Sequence, residues 1–393
     1  MTTVGIVGGG QLARMLAEAA TPLGVHVRVL AARADEGAPE VVPDLVLGSP
    51  DDPDALEAFA AGVDVVTFDH ENVDHDALEA IEASGVPVRP GVGTLRFSDK
   101  AHQRRRFEAA GLPVPPFEVV DPTVGAAAAT EAAMAFAEQH GDPADGRRIV
   151  LKASRGGYDG RGVWMLGAEE LPGFLAGYEG APLVLEPKLS LRGEVAVLVA
   201  RRPSGQVAVW PVVETVQVDG MCDEVYLPAP IDPRVAASAA EVGEAIAVTT
   251  GAVGVFAVEL FVVDGPDGPR VLVNEIAPRV HNSGHLTIEG CATSQFEQHL
   301  RAVLDWPLGP THPTAPVAVM ANVVGGPSGD PRDRQAAALA AVPHAHLHLY
   351  GKTSRPARKI GHVTVLGDDL DRCRAEARLA ADVLGGVGGS PDG

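Results

Sequence analysis

The sequence predicts an α/β fold arranged in successive regions, and three observations carry that reading. Strand-like and helix-like segments alternate through the first part of the chain, as in a parallel sheet covered on both faces. A lysine-bearing strand then runs into Ser154–Gly162 (SRGGYDGRG), a loop with four glycines. Two acid-bearing strands follow, flanking a turn and leading into Asn274–His285, NEIAPRVHNSGH. That stretch gathers an acid, two amides, an arginine, two histidines and a serine behind an apolar strand. Chemistry is commonly mounted this way, with polar residues on a loop held by a rigid element.

Composition bounds the function. The chain has 393 residues, 46% hydrophobic and 21% charged, enough for two or three domains and a large core. A net charge of -21 disfavours a general nucleic-acid binder, which needs a basic surface. An acidic protein that binds phosphate must gather its positive charge locally. Only five lysines are present, Lys100, Lys152, Lys188, Lys352 and Lys359, so each is a candidate. Cys222, Cys291 and Cys373 are scattered with no CxxC spacing. They suggest neither a disulfide framework nor a thiolate zinc site, and a reducing cytoplasm fits them. No apolar run nears the roughly 18–20 residues that cross a membrane. The start, MTTVGIVGGG, has no basic signal-peptide region and reads as a strand.

Val4–Val7 is a short apolar strand, and Gly8–Ala13 (GGGQLA) opens a helix that runs through Ala20. This G-x-G-x-x-A in a strand–turn–helix setting lets the backbone turn tightly and presents free N–H groups to an anion. By itself it leaves a nicotinamide cofactor open, although no hydride-transfer pattern accompanies it. Strands at Val25–Leu30, Val63–Phe68 and Val86–Arg89 alternate with helices near Pro53–Ala61 and Asp76–Ala83. Glu71 and Asn72 follow a buried strand, at the carboxyl end where open α/β sheets bind ligands, and are candidate substrate contacts.

Asp99–Ala110 reads as a basic helix with Lys100 at its start, within reach of a nucleotide phosphate, and Ala126–Gln139 as an Ala-rich helix. Ile149–Ala153 and Val163–Leu166 flank the glycine loop. Its exposed N–H groups could cover a triphosphate, but it is not a Walker P-loop. Leu183–Glu186 is an apolar strand ending in an acid, and Gly193–Val199 carries Glu194. Such a strand, beside an extended linker, suits an adenine edge and ribose hydroxyls. Val207–Val213 reads as a strand and Pro233–Thr250 as an amphipathic helix.

Val255–Val263 and Arg270–Glu275 bracket the turn DGPDG, and Glu259 and Glu275 lie equally far from Asp267. In a regular hairpin they would face each other about 4.5–5.5 Å apart at Cβ. Opposed carboxylates repel unless a cation lies between them. Oxygen ligands suit Mg²⁺, and Asn274 could add a third oxygen. A slip in register would separate the pair. The tail holds a helix at Ser294–Leu304, strands near Val317–Val323, His346–Tyr350 and Val363–Leu366, and helices near Arg334–Ala341 and Asp369–Val383. Between them Gly351–His362 (GKTSRPARKIGH) concentrates cations and reads as an anion site.

Five stretches, GGGQLARML, GGYDGRG, NEIAPRVHNSGH, SQFEQHLRA and YGK with RKIGH, resemble the ATP-grasp superfamily. Within it they are most similar to the ATP-dependent 5-(carboxyamino)imidazole ribonucleotide synthetases of purine biosynthesis. The resemblance covers nearly the whole chain. It implies a Rossmann-like pre-ATP-grasp domain over 1–98, an ATP-grasp domain over 99–310 with an α+β lid at about 116–186, and a small C-terminal domain over 311–393 that binds the substrate phosphate. It implies a ligase that joins bicarbonate to 5-aminoimidazole ribonucleotide at the expense of ATP, through carboxyphosphate, with Mg²⁺. A homodimer is expected on the same ground, and a nucleic-acid or membrane partner is not.

The site residues it implies follow by position. Lys100 and Lys152 would hold ATP phosphates, and Gly157, Tyr158, Asp159, Gly160, Arg161, Gly162 and Val163 would close over them. Glu186, Pro187, Lys188 and Leu189 would line the adenine pocket, Glu194 would take the ribose, and Gln217 stands where the family carries a histidine. Glu259, Glu275 and Asn274 would hold Mg²⁺. Tyr158, Asp159 and Arg161 would face the aminoimidazole ribonucleotide, with Glu71, Asn72, Arg279, His281, Asn282 and Ser283 opposite. Lys352 and Arg358 would grip its 5′-phosphate. Arg279, with Lys152, is the implied catalytic residue, stabilising carboxyphosphate.

Overall fold

The computed structural model describes residues 1–157, 160–326 and 329–386. The N-terminal unit is a parallel sheet of β1 (Thr3–Val7), β2 (His26–Ala31), β3 (Asp44–Leu47) and β4 (Val65–Phe68), in the order β3-β2-β1-β4. All four residues of β4 are buried, which is why it is apolar but for Thr67. Helices α1 (Gln11–Leu23), α2 (Pro53–Ala60) and α3 (His75–Ala83) connect the strands, and α4 (Val92–Leu95) follows. Asp52 and Asp74 cap α2 and α3 with their carboxylates. The strand expected at Val86–Arg89 reduces to a single bridge, Val66 to Val88. Pro87 and Pro90 interrupt that segment and have no N–H to give a ladder.

Helix α5 (Lys100–Ala109), capped by Asp99, leads to an antiparallel unit. It contains β5 (Glu118–Val120), α6 (Pro122–His140), β6 (Ile149–Ala153), β7 (Val163–Leu166), α7 (Leu171–Ala176) and β8 (Leu183–Pro187), with sheet order β5-β8-β6-β7. Ala129, Ala133, Phe136, Leu171 and Leu175 of the two helices pack on Ile149, Leu151, Leu183 and Leu185. That contact fixes the strand carrying Lys152.

The rest of the chain shares one large antiparallel sheet. Its elements are β9 (Leu191–Arg201), β10 (Val207–Val209), β11 (Val213–Val218), β12 (Met221–Leu227), α8 (Pro233–Thr250), β13 (Gly254–Gly265), β14 (Gly268–Ala277), α9 (Thr287–Gly290) and α10 (Gln295–Val303). They continue with β15 (Val317–Val324), α11 (Gln335–Ala341), β16 (His346–Leu349), β17 (Lys359–Gly367) and α12 (Leu370–Gly385). The strand order is β14-β13-β9-β11-β12-β15-β17-β16, with β10 beside β9. The single strand expected at Val207–Val213 is broken, because Pro211 cannot donate to the ladder. The β11–β12 hairpin was not anticipated. Its signal was the Asp219–Gly220 pair, whose φ values of 51° and 78° are those of a tight hairpin turn. The tail expected to fray, 387–393, lies outside the described residues. Among the described residues, no helix is long and apolar enough to cross a membrane.

A buried bond ties the N-terminal unit to the large sheet. His299 Nδ1 accepts from the Val255 N–H at 3.0 Å, so its Nε2 carries the proton and donates to Thr67 Oγ1 at 2.7 Å. Thr67→Val is expected to cost about 1–3 kcal/mol by leaving that donor unsatisfied, read as a lower urea midpoint. Burial pushes the His299 ring from 6.5 to about 4. The unfolded chain therefore binds the proton first. Stability is expected to hold above pH 6.5 and to fall as the pH drops from 6.5 towards 4. Urea midpoints measured across that window check it, and the fall should be smaller in His299→Asn.

Candidate active site

The β13–β14 hairpin pairs regularly from Gly265 and Gly268 back to Leu260 and Val273, about a two-residue turn at Pro266 and Asp267. Continued without interruption, that register would set Glu259 against Asn274. A bulge inserts Asn274, and Glu259 pairs with Glu275 instead. The two acids thus meet as the spacing suggested, but through the bulge and not through a turn centred on Asp267. Lys152 Nζ donates to Asn274 Oδ1 at 2.9 Å, and Lys100 pairs with Glu275.

Burial drives the Glu259 carboxyl above its usual range, and Glu275 and then Glu194 add to the push. Burial raises Glu275 as well, but the charge and hydrogen bond of Lys100 outweigh it, and Glu275 is held low. One acid is therefore ionised and its neighbour is reluctant to ionise. A divalent cation would relieve that repulsion, and two carboxylates with an amide oxygen are hard donors of the kind Mg²⁺ takes. Among the described residues, no cage of three or more His, Cys, Asp or Glu side chains is gathered. Mg²⁺ does not need one, since it commonly takes one or two carboxylates and completes its shell with phosphate and water.

Behind this point lies a chain of charges. Lys152 Nζ is 2.7 Å from Glu186 Oε2, and Arg104 holds the other oxygen, Oε1, through Nε at 2.6 Å and Nη2 at 2.5 Å. Burial raises the Glu186 carboxyl, but Arg104 and then Lys152 bring it to about 2. Lys152 is lowered by burial more than Glu186 raises it. Glu194, on β9, is raised by burial, with Lys152 opposing. Lys188 points elsewhere, its Nζ 2.6 Å from Asp145 on the surface. Pro187 and Leu189 are half-buried beside it, as is Gln217, opposite the bulge that Asp223 makes in β12. The glycine loop closes on itself through Ala153 N–H to Gly162 O at 2.8 Å. Gly160, at φ 76°, lies against the Gly220 backbone, where a Cβ would come within 3.3 Å of its Cα. Tyr158 and Asp159 lie outside the described residues.

The loop after β14 is held from three sides. Arg279 Nε is 2.6 Å from Glu71 Oε2, which joins two residues expected to share the substrate. Asn72 beside it is exposed. Burial opposes the Arg279 charge, but Glu71 overrides it and the pKa is raised. His281 is brought to about 4 by burial first and then by Arg279. Its neutral ring takes the Ser283 N–H at Nδ1, leaving the proton on Nε2, which lies 3.3 Å from Glu259 Oε1. Asn282 and Asn322 exchange amide hydrogen bonds at 3.0 and 2.8 Å. Buried Gln295 accepts the His281 N–H at 2.9 Å and donates to the His281 carbonyl at 2.7 Å. Reading the sequence missed the roles of Arg104, Gln295 and Asn322. Only SQFEQHLRA hinted at one of them.

The GGGQLA turn is filled from within. The Asp69 carboxylate, at the end of β4, accepts the Gly10 N–H at the start of α1. A carboxylate there uses the N-terminal charge that would draw a dinucleotide phosphate. Lys352 Nζ donates to Gln11 Oε1, linking α1 to the C-terminal strands. Arg358 donates to the Thr353 carbonyl at 3.2 Å. Its pKa is lowered by burial and then by Arg355 and Arg33, so three cations crowd that corner.

Comparison with known proteins covers nearly the whole chain. Residues 1–99 match the ribonucleotide synthetase preATP-grasp domain, 105–296 the ATP-grasp domain, and 318–376 the phosphoribosylaminoimidazole carboxylase C-terminal domain. The N5-carboxyaminoimidazole ribonucleotide synthase of Mycobacterium leprae is 46% identical, over 97% of this chain and 89% of that one. The carboxyaminoimidazole ribonucleotide synthase of Aspergillus clavatus, solved with ATP, superposes with a TM-score of 0.86 at 33% identity, over 98% of this chain and 99% of that one. The same enzyme solved with ADP and 5-aminoimidazole ribonucleotide gives 0.85 at 33% identity, over 98% of each chain.

Proposed function

We infer the reaction from one premise: this chain belongs to the N5-carboxyaminoimidazole ribonucleotide synthase family. It is an ATP-dependent ligase of purine biosynthesis, and its substrates are ATP and 5-aminoimidazole ribonucleotide. We assign bicarbonate as the carbon source and carboxyphosphate as the intermediate. We assign the domain limits at 98/99 and 310/311, noting that the β12–β15 pairing carries one sheet across the second. A cytoplasmic homodimer completes the reading.

The supporting observation is that one loop joins two clusters. Asn274 and Glu275 meet Lys152 and Lys100, while Arg279 meets Glu71 four residues further on. Lys152 spends two of its three N–H donors on Glu186 and Asn274, and the third would serve a phosphate oxygen of ATP. Lys100, released from Glu275, would serve another. Glu259, Glu275 and Asn274 would hold Mg²⁺, which neutralises phosphate charge when bound. The glycine loop from Gly157 to Val163 would cover the triphosphate and exclude water from an unstable acyl phosphate. Glu186 to Leu189 would line the adenine pocket, mostly through backbone, and Glu194 would take the ribose.

On the acceptor side Arg279, kept charged and aimed by Glu71, would stabilise carboxyphosphate. His281, Asn282 and Ser283 would shape the place of the aminoimidazole, and Lys352 and Arg358 would take the 5′-phosphate. Phosphoryl transfer asks for positioning and charge neutralisation more than a covalent nucleophile, and this set provides both.

The direct test is coupled ADP release with bicarbonate and 5-aminoimidazole ribonucleotide together. Release that does not depend on both would overturn the reading. Glu275→Gln is expected to lower Mg²⁺-dependent ATP cleavage about a hundredfold or more with unchanged far-UV circular dichroism. A fully active variant would sink the metal assignment. Lys352→Ala is expected to raise KM for the ribonucleotide about tenfold or more, for one lost charge-assisted contact, with KM for ATP within about twofold. Equal effects on both substrates would contradict its assignment.

A further inference from the structure

We propose that Arg104, on α5, is a positioning residue for the ATP half of the reaction, acting on Lys152 through Glu186. The proposal rests on reading Lys152 as a phosphate-holding residue. Three arginines stand in a row here, yet Arg105 and Arg106 are exposed and only Arg104 is buried. Its fork delivers two N–H donors to one oxygen of Glu186, and Lys152 takes the other oxygen. Both oxygens are committed within the protein, so the Glu186 side chain acts as a bridge. Four residues from α5, β8, β6 and β14 are thereby joined in series: Arg104, Glu186, Lys152 and Asn274.

Stability alone is a poor account of this arrangement. Two cations share one buried carboxylate, and buried ion triplets are often no more stable than apolar replacements. Arg104 Nη1 is also buried with no protein acceptor, which a purely structural ion pair would not require. Arginine suits the task because its planar fork fixes the direction of the carboxylate, whereas a lysine would give a single rotatable charge. Without the fork, Glu186 could swing, and the Lys152 ammonium would lose its fixed place above the bulge.

The test compares Arg104→Met, Arg104→Lys and Lys152→Met with the wild-type enzyme in the coupled ADP assay. Arg104→Met is expected to lower kcat/KM for ATP at least tenfold, with KM for the ribonucleotide within twofold and thermal unfolding still cooperative. Arg104→Lys should recover part of that loss. Combining Arg104→Met with Glu186→Gln should be no worse than Glu186→Gln alone, because the two act along one line. If Arg104→Met fails to fold, Arg104→Lys carries the test, and equal losses on both substrates overturn the proposal. Arg104→Met within twofold of wild type beside an impaired Lys152→Met overturns it too. If Lys152→Met itself leaves KM and kcat for ATP unchanged, the reading of Lys152 is at fault.

Discussion

One extra residue in a strand organises this molecule. Asn274 has no partner of its own in the ladder, and its insertion sets Glu275 against Glu259. Side chains alternate along a strand, so a regular hairpin would have offered Asn274 to Glu259 and turned Glu275 to the opposite face. With the bulge, Asn274 and Glu275 meet Lys152 and Lys100, which come from elements far away in sequence. The site is thus assembled by a local fault in β-pairing, placed where the large sheet supplies rigidity.

The electrostatics follow from that placement. The chain carries a charge of -21, so cations at an anion site must be held in place against the attraction of many other carboxylates. Around the β14 end three cations are each bound to an acid from another segment: Lys100 to Glu275, Lys152 to Glu186, Arg279 to Glu71. Such pairs add little net stability once desolvation is counted. What they supply is position. The acids keep long flexible side chains converged on one place.

Much of this was legible in the sequence, for physical reasons. The parallel N-terminal sheet was, because doubly covered strands are continuous apolar runs. The α8 boundaries were, from Asp232 and Pro233 at one end and Gly251 at the other. The acid pair was found from spacing, although the register that delivers it depends on a bulge no spacing rule shows. Short half-buried strands such as β3 and β5 escaped, since they lack a full period. Arg104 escaped because burial is invisible in a run of three arginines. Gln295 and Asn322 escaped because their partners are the backbone of His281 and the amide of Asn282, contacts that exist only after folding.

Those last contacts explain how the loop after β14 is held. Glu71 grips it from the N-terminal unit, Gln295 from α10, and Asn322 from β15. A segment held by hydrogen bonds from three parts of the fold has little freedom to follow a ligand. The nucleotide side is built differently. Lys152 comes from the antiparallel unit, and Gly160 of the glycine loop lies against Gly220 of the large sheet. Lys152 reaches Asn274 from that unit, whereas Glu259 and Glu275 belong to the same sheet as the loop that carries Arg279 and His281. The two clusters therefore meet where β14 ends, one side held by the sheet and its neighbours, the other completed by a strand of a separate sheet.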